Sequence, residues 1–426
     1  MFDVSVPAHF QKLPIITIAR KDGGVFIDGD WIESKDISGS GIRYITTGNV
    51  GLGEFKEQGS GYITEETFLK LRCTEVLPGD ILVSRLNVPV GRACLVPDLG
   101  ERMVTSVDNV IIRPCAEFNR KFLVYLFSAK HHIEMMNNLA RGTTMLRVSR
   151  SALGRVRVQV PPYHEQTEIA GFLDGEIGLM DGLIEKKTRF IALLKEKRAA
   201  VITHAVTKGI DPDAPMKDSG VDWLGRVPAH WDVVPPTALF TESKERAREG
   251  DQMLSATQKY GVIPLAEYEA LEQRQVTMAV VNLDMRKHVE LGDFVISMRS
   301  MDGGLERARA VGSVRSSYAV LKPGPDVEGR FYGALMKSSL YIQALRLTSN
   351  FIRDGQDLNF SHVRKVKLPK PDLREQAAIA DHIEAETARV DGLIALTERS
   401  IDLLREKRSA LITAAVTGKI DVRRAA

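Results

Sequence analysis

Residues 165–211 read EQTEIAGFLDGEIGLMDGLIEKKTRFIALLKEKRAAVITHAVTKGID, and residues 375–421 read EQAAIADHIEAETARVDGLIALTERSIDLLREKRSALITAAVTGKID. Without a gap, the two stretches are identical at 24 of 47 positions. An ungapped match of this length indicates an internal duplication. The chain therefore follows the order A–B–A′–B′, in which B and B′ are these two stretches.

The segments that precede the two repeats resemble one another more weakly. VPAHF at residues 6–10 corresponds to VPAHW at residues 227–231, and PGDILVS at residues 78–84 parallels LGDFVIS at residues 291–297. Short β-rich runs such as these alternate with turns that contain glycine or proline, which is typical of irregular sheets in α+β domains. We expect A and A′ to be two related heads that share a framework but differ in their loops.

The repeated stretches are predicted to be long helices, because good helix formers dominate residues 165–207 and no proline interrupts them. From residue 177 onward, a spacing of three and four residues over about four heptads predicts a coiled-coil seam. A long helix with a narrow apolar stripe needs a partner of similar length, so we expect the two copies to pack antiparallel. Two independent surface helices are the alternative. The predicted contact residues are Ile184, Ile191, Leu194, Val201, Ile394, Ile401, Leu404 and Leu411.

The predicted fold class is α+β, with two similar α/β domains separated by two long antiparallel coiled-coil helices in a pseudo-twofold internal repeat. The predicted domains are a first head, a first helical spacer, a second head and a second helical spacer, at residues 1–163, 164–209, 210–373 and 374–426. Residues 210–220, IDPDAPMKDSG, contain two prolines and many polar side chains. We expect this stretch to be a linker that opens the second head.

Composition excludes several classes of protein. The net charge is only +3, from 58 Lys and Arg against 55 Asp and Glu, which argues against a polybasic binder but permits local basic surfaces. The three cysteines, Cys73, Cys94 and Cys115, show no C-x-x-C spacing, which disfavours a disulfide scaffold or a zinc ribbon. Because we find no membrane-spanning apolar run and no signal peptide, we expect a cytoplasmic protein that has no membrane partner.

A search for catalytic motifs finds none in the sequence. The phosphate-binding pattern GxxxxGK[ST] is absent, and no His or Cys lies in a recognisable nucleophile motif. Val160-Pro161-Pro162-Tyr163 resembles part of an adenine methyltransferase motif, but Val160 lacks the carbonyl side chain that holds the target amino group. His131 and His132 point about 100° apart on a helix, so we expect a surface or half-buried pair and no metal site.

Loops that combine arginine with Thr, Ser, Asn, Gln and Gly recur in both heads. Arginine can bind guanine with two hydrogen bonds, Asn and Gln can bind adenine, and Ser, Thr and Lys can bind phosphates. Arg141, Arg147 and Arg150 have no acidic neighbour in the sequence that would obviously neutralise them. A solvated surface loop is the alternative for any single residue. The predicted DNA-binding residues are Thr46, Asn49, Arg85, Arg92, Arg141, Thr143, Arg147, Arg150, Arg299, Ser300, Arg307, Arg315, Arg353 and Gln356.

Two dissimilar heads on paired helices favour a protein that contacts two sites on one ligand. A helix of about 33 residues spans about 50 Å, and duplex DNA advances about 34–36 Å per turn. The arrangement therefore suits a DNA site in two parts with an unread gap between them. A two-headed adaptor that binds proteins through its heads would have the same arrangement, so it remains the alternative.

The whole pattern resembles the specificity subunits of type I restriction–modification systems. The residues that carry the resemblance are the EQ…IA openings of both repeats, the DGLI…LLKEKR and DGLI…LLREKR helices, and DSGVDWLGRVPAHWDV at residues 218–233. The resemblance implies two target-recognition domains that read a split DNA sequence, with no chemistry in this chain. It also implies two DNA methyltransferase subunits and a restriction and translocase subunit as partners. S-adenosylmethionine and ATP would then bind to those partners.

Overall fold

The computed structural model describes residues 6–21, 23–59, 61–142, 145–276, 285–297, 300–348 and 359–424. The chain divides into two units, the first formed by Met1–Lys187 with Arg399–Ala426 and the second by Thr188–Glu398. Each unit thus contains one head together with one half of each repeated stretch. Among the described residues, no helix has the length and apolar character needed to cross a membrane.

The head of the first unit is built from short strands and four short helices. The strands are β1 (Gln11–Pro14), β2 (Val25–Asp28), β3 (Ile42–Ile45), β4 (Gly61–Ile63), β5 (Ile81–Ser84), β6 (Ala93–Leu95), β7 (Met103–Thr105), β8 (Asn109–Arg113) and β9 (Arg157–Val160). The helices are α1 (Glu65–Leu71), α2 (Arg120–Ser128), α3 (Lys130–Leu139) and α4 (Arg150–Arg155). Strands β2, β8, β5 and β6 form an antiparallel sheet in that order, β4, β3 and β7 form a second sheet, and β1 pairs with β9. Strand β5 is buried over its whole length, as its apolar sequence requires.

The head of the second unit repeats this architecture. Its strands are β10 (Met216–Asp218), β11 (Arg226–Pro228), β12 (Asp232–Val234), β13 (Phe240–Ser243), β14 (Leu254–Thr257), β15 (Gly261–Pro264), β16 (Lys287–Val289), β17 (Phe294–Ile296), β18 (Glu306–Arg307), β19 (Gly312–Val314), β20 (Ala319–Pro323) and β21 (Leu368–Lys370). Its helices are α6 (Leu265–Glu272), α7 (Ser300–Gly303), α8 (Gly329–Leu335), α9 (Ser339–Leu347) and α10 (Phe360–Val363). Strands β13, β20, β17 and β18 form the four-stranded sheet in that order, and β12 pairs with β21.

The two four-stranded sheets correspond strand by strand, which confirms the predicted α+β class and the internal repeat. The run PGDILVS leads into β5 of the first head, and LGDFVIS leads into the equivalent β17 of the second head. Outside this framework the heads differ. Residues 46–60 connect β3 to β4 in the first head, whereas the equivalent connection between β14 and β15 is the short turn of residues 258–260.

The repeated stretches form two long helices, α5 (Tyr163–Lys208) and α11 (Leu373–Val416). In the first unit, Asp181 of α5 pairs with Arg408 of α11, with 3.3 Å between Oδ1 and Nε. In the second unit, Arg198 pairs with Asp391 at 2.9 Å. Because the early half of each helix meets the late half of the other, the helices run antiparallel in both units. This agrees with the fold class predicted from the repeat.

The predicted seam positions are all shielded from solvent. Ile191, Leu194 and Ile401 are buried, at 8%, 6% and 6% exposure. The remaining seam side chains are half-buried, and they are Ile184, Val201, Ile394, Leu404 and Leu411.

A buried glutamine joins each head to the start of the helix that follows it. The side-chain oxygen of Gln166 accepts a hydrogen bond from the backbone N–H of Asn119 at 2.8 Å, and that of Gln376 accepts one from Glu328 at 2.8 Å. Each side-chain amide also donates to the carbonyl of the proline five residues earlier, at 3.0 and 2.8 Å. The same tie thus occurs twice, at equivalent places in the repeat.

The VPAHF and VPAHW motifs contact the glutamate that precedes each of these glutamines. His9 lies 2.9 Å from Glu165, and His230 lies 2.8 Å from Glu375. Trp231 also donates its indole N–H to Glu375 at 2.9 Å. Two motifs far apart in the sequence therefore form one structural joint in each unit.

The late end of each helix also enters a core. Ile412, Ala415 and Val416 of α11 are buried in the main core of the first head. Gly418 follows them and lies against Pro7 and Phe10, so that an added Cβ would lie 2.6 Å from Pro7 Cγ. In the second unit Ala205 and Val206 of α5 occupy the equivalent core. The first unit is therefore completed by residues from the end of the chain.

The expected linker at residues 210–220 is wrong in part. Residues Met216–Asp218 form β10, which pairs antiparallel with β11 and so belongs to the second head. Lys208 anchors this hairpin to the end of α5 by donating to the carbonyl of Leu224 at 2.7 Å. A Pro-rich and polar composition does not exclude a paired edge strand, because Pro215 lies just outside the ladder.

Candidate nucleic-acid interface

Three loops that carry predicted DNA-binding residues meet at one surface of the first head. We call their described residues, 45–50, 84–92, 140–142 and 145–150, the first-head loop surface. The guanidinium of Arg92 donates to the carbonyls of Val50 at 2.7 Å and Thr47 at 2.9 Å, which holds the first loop to the second. The backbone N–H of Val148 donates to the carbonyl of Arg85 at 3.1 Å, which holds the third loop to the second. Nothing in the sequence indicates this convergence.

Arg85 and Arg92 do not fit the predicted role of contacting DNA. Arg85 is 5% exposed, and it donates to the carbonyls of Val148 at 3.1 Å and Val107 at 2.6 Å and pairs with Asp28 at 2.9 Å. Arg92 donates to five carbonyls of the surrounding loops. Burial lowers the pKa of both guanidinium groups. Their donors are used inside the protein, so they shape the loop surface instead of contacting a ligand.

Asn49 is also an internal residue. Its side chain is 2% exposed, its amide donates to the carbonyls of Lys56 at 2.9 Å and Gln58 at 2.7 Å, and its oxygen accepts from the N–H of Thr46 at 2.9 Å. A saturated buried amide cannot contact adenine, which corrects the prediction for Asn49. Thr46 is exposed at the start of the same turn and remains available to a ligand.

The three arginines of the third loop are exposed, but two of them have acidic partners. Arg147 pairs with Asp108 at 2.6 Å, and Arg150 lies 3.6 Å from Asp28. The local sequence does not reveal these pairs, because the acids come from distant parts of the chain. Among the described residues, Arg141 reaches only the carbonyl of Ala140, at 3.5 Å. Thr143 lies outside the described residues.

Sequence reasoning missed an exposed tryptophan beside this surface. Trp31 is 66% exposed, and the backbone of its neighbour Asp30 pairs with Thr105 and Val107, next to Asp108. A single Trp next to Asp30 gives no clear signal in the sequence. In the structure, Trp31 presents a large exposed ring whose indole N–H donates to the side chain of Glu33 at 3.1 Å.

In the second head, the predicted residues fall into three groups. Ser300 is 1% exposed and its Oγ accepts from the N–H of Ser297 at 2.9 Å, so its predicted contact with DNA is corrected to a turn-closing role. Arg307 is half-buried, and Arg315 is exposed at the turn that follows β19. Arg299, Arg353 and Gln356 lie outside the described residues, so their predicted roles stay predictions.

The long helices carry a second apolar stripe that faces solvent. On α5 it comprises Leu179, Leu183, Phe190 and Leu193, at 73%, 43%, 45% and 54% exposure. On α11, Leu393, Leu396 and Leu403 are 41%, 69% and 57% exposed. Leu183 and Leu193 occupy the same repeat positions as Leu393 and Leu403. Contiguous exposed apolar side chains of this kind mark interaction surfaces. We call them the outer stripes.

The described residues contain no group of three or more His, Cys, Asp or Glu side chains placed to hold a metal ion. Burial raises the pKa of the Cys94 thiol to about 12 and that of Cys73 to about 11, so both thiols stay protonated at neutral pH. Burial also lowers the pKa of His132 to about 3. Cys73, Cys94 and His132 are all buried, which corrects the expectation of a surface or half-buried position for His132.

Comparison with known proteins agrees with this architecture. Residues 20–188 match the family model described as the type I restriction modification DNA specificity domain. A chain of Methanocaldococcus jannaschii assigned as the MjaX type I restriction enzyme specificity subunit is 21% identical over 383 residues, covering 85% of this chain and 82% of its own length. The MjaVIII specificity subunit of the same organism is 21% identical over 319 residues, covering 70% of this chain and 71% of the relative.

Two solved structures share the fold. A chain from a study of complex assembly and conformational transition in the type I restriction–modification system aligns with a TM-score of 0.70 and 14% identity, covering 98% of this chain and all of that chain. The HsdS subunit of Thermoanaerobacter tengcongensis aligns with a TM-score of 0.53 and 14% identity, covering 98% of this chain and 99% of that subunit. Residues 20–188 thus match the type I restriction modification DNA specificity domain, and over most of its length the chain is similar to specificity subunits of type I restriction–modification systems.

Proposed function

We propose that this chain is the DNA sequence-recognition subunit of a type I restriction–modification complex. Each head reads one half of a split DNA sequence, and the paired helices place the two heads on the same duplex. The chain carries no chemistry of its own and serves to position the subunits that modify and cut DNA. The match of residues 20–188 to a DNA specificity domain is the observation that carries the proposal.

The first-head loop surface supports this function. Arg141 and Thr46 are exposed on loops that Arg85 and Arg92 hold in place from inside. Rigid loops with exposed arginine suit base recognition, because a fixed guanidinium loses less entropy when it binds. Arg147 and Arg150 can exchange their carboxylate partners for phosphates, since both ion pairs are partly exposed.

The outer stripes support the proposed partners. We infer that two methyltransferase subunits dock on these stripes, one on each of the two equivalent copies. A restriction and translocase subunit would then join the methyltransferases. S-adenosylmethionine and ATP would bind to those subunits and not to this chain. The equivalence of Leu193 and Leu403 in the repeat supports a pair of similar docking sites.

The proposal is tested by expressing the chain with its methyltransferase subunit and sequencing the host DNA for modified adenines. We expect one sequence in two parts, separated by a gap of fixed length. Exchanging the second head for that of another specificity subunit should change one part only. Modification that follows no two-part sequence would contradict the proposal.

The adaptor alternative is separated from this function by salt-dependent binding. The purified complex should bind its duplex with an affinity that falls about 10³- to 10⁵-fold between 50 and 200 mM salt, if six to ten phosphates are contacted. An adaptor whose heads bind proteins would show no preference for one duplex and no such salt dependence.

A further inference from the structure

The second head contains a groove of about 430 Å³ beside the β14–β15 hairpin. Its walls carry an unusual combination of side chains for a surface of this size. Three tyrosines, Tyr260, Tyr268 and Tyr318, line it together with four cationic residues. The cationic residues are Lys259, Arg274, Arg286 and Arg315. Basic side chains interleaved with aromatic rings are typical of surfaces that bind nucleic acid.

Two of these cations share one end of the groove without an acidic partner among the described residues. Arg286 is half-buried, and its guanidinium is fixed by Ser313, with Nε 3.0 Å from Oγ and Nη2 2.5 Å from the carbonyl oxygen. Arg315 is exposed, and its charge lowers the pKa of Arg286, in addition to the larger effect of burial. Two like charges held close together favour an anion between them.

The acid in the groove lining is used elsewhere. Glu272 accepts a hydrogen bond from the hydroxyl of Tyr260 at 3.1 Å and lies 3.6 Å from the ammonium of Lys259. Arg274 lies over the ring of Tyr268, 5.6 Å from its centroid. The negative charge of Glu272 therefore offsets the positive charge of Lys259, and the groove lining supplies no acidic side chain to offset the charges of Arg286 and Arg315.

The groove also lies where a DNA-contacting surface is expected from the repeat. The hairpin turn at residues 258–260 corresponds to the loop at residues 46–60 of the first head, which contributes Thr46 to the first-head loop surface. Gln258 and Lys259 are exposed at this turn. The two heads thus place exposed polar residues at equivalent connections, Thr46 in the first head and Gln258 and Lys259 in the second.

We propose that Arg286 and Arg315 together bind one backbone phosphate of duplex DNA, and that the groove fixes the register of the second head on its half of the site. The inference rests on the proposed function and adds the ligand group and the residues that hold it. Arg286 is preset by Ser313, and Arg315 closes on the phosphate from the solvent side. Phosphate contacts set register without choosing a base, so this site anchors the head while neighbouring side chains read sequence.

The test compares the full chain with three variants on a 40-base-pair duplex of unrelated sequence and on the duplex that contains the modified site. Binding is measured by fluorescence anisotropy between 50 and 300 mM salt. Arg315→Ala should weaken binding to both duplexes and lower the slope of log affinity against log salt by about 1. Arg315→Lys should keep the slope of the parent chain, because an ammonium group also neutralises a phosphate.

Arg374→Ala is the matched control, since Arg374 is exposed on α11 of the same unit and lies outside the groove. It removes the same charge and should leave the slope unchanged. Thermal unfolding of each variant checks that the fold is intact. If Arg315→Ala shows the same slope of log affinity against log salt as the parent chain, the groove assignment is overturned, while the proposed function stands.

Two other outcomes are distinguishable. If Arg315→Lys fails to restore binding and the loss is confined to the modified site, then Arg315 reads a base and the phosphate assignment is overturned. If the parent chain binds neither duplex under any salt condition, the proposed function itself fails and the groove assignment fails with it.

Discussion

At the scale of single residues, the arginines of the first head divide into two kinds according to where their donors are used. Arg85 and Arg92 donate to backbone carbonyls of the loops, and Arg85 is buried. Arg141, Arg147 and Arg150 are exposed on the same surface. The sequence identifies all five as loop arginines, but it cannot separate them because the carbonyls and acids that decide their roles lie far away along the chain.

This division predicts opposite phenotypes for two alanine substitutions. Arg92→Ala removes hydrogen bonds to five carbonyls, so we expect the free energy of unfolding of the first unit to fall by about 2–4 kcal/mol. Arg141→Ala should change stability by less than about 0.5 kcal/mol, because the side chain is exposed. It should instead weaken binding to DNA that contains the modified site. Urea unfolding and anisotropy measure the two effects, and an unstable Arg141→Ala variant would contradict the division.

His132 predicts a dependence of stability on pH. The His132 ring is 1% exposed and lies against Phe127, with the two ring centroids 5.3 Å apart. Burial lowers the pKa of His132 to about 3, and the charge of the nearby His131 makes a smaller contribution in the same direction. The unfolded chain therefore takes up a proton near pH 6.5 that the folded chain excludes. The contribution of His132 is complete above that pH and is lost progressively as the pH falls toward 3.

Between pH 7 and pH 5.5 this group should cost the parent protein about 1 kcal/mol of stability. His132→Leu should remove that part of the pH dependence, as measured by urea unfolding at both pH values. The comparison with the parent isolates His132 from His131, whose pKa is also lowered by burial. An unchanged difference between the two pH values would contradict the burial argument.

At the scale of elements, the long helices have two apolar faces with different purposes. One face forms the seam between α5 and α11, and the other forms the outer stripes. The spacing of three and four residues predicts the seam directly. The outer stripes cannot be predicted in the same way. Their apolar residues are interrupted by charged ones, so in the sequence they resemble an ordinary solvated helix face, and only the exposure of each side chain distinguishes them.

Leu193 and Leu194 provide a matched pair for these two faces. Leu193 is 54% exposed on the outer stripe, whereas Leu194 is 6% exposed in the seam. Leu193→Glu should leave the unfolding temperature unchanged and reduce co-purification of the methyltransferase subunit. Leu194→Glu should lower stability by roughly 3 kcal/mol or more, because it buries a charge without a partner. Equal loss of stability in both variants would contradict the assignment of two faces.

The framework of the heads could be predicted from the sequence to a limited depth. The similarity between PGDILVS and LGDFVIS predicts equivalent strands in the two heads, and the helix-forming composition of the repeats predicts the two long helices. The joints between His9 and Glu165 and between His230 and Glu375 could not be predicted, since they pair residues about 150 positions apart. Both motifs were visible in the sequence, but their contact depends on the folded topology.

At the scale of the whole molecule, the two units differ in how they are assembled from the chain. The second unit is continuous, from Thr188 to Glu398, while the first combines Met1–Lys187 with Arg399–Ala426. The repeat predicts the antiparallel helices, but a division into four consecutive domains does not reveal that each head takes half of both helices. That feature follows from the packing of the seam and of the helix ends.

Removal of residues 399–426 should therefore destabilise the first head, which lies at the opposite end of the sequence. A chain that ends at Glu398 loses Ile412, Ala415 and Val416 from the core of the first head and loses nothing from the second unit. Limited proteolysis should then cleave within residues 1–187 and leave residues 188–398 protected. A chain that ends at Val422 keeps these core residues and serves as the control. Protection of the first head in the shorter chain would contradict the packing described here.

The contact between Gly418 and the Pro7–Phe10 segment has a consequence for biosynthesis. The first head is translated before the second unit, yet the residues that complete its core are translated after that unit. We expect the continuous second unit to reach its native state earlier, while the first head stays incompletely folded until residues 399–426 have been translated. Release of a nascent chain before this point then yields a subunit in which only the second head is complete. Degradation of that product would protect the cell from a subunit of altered specificity.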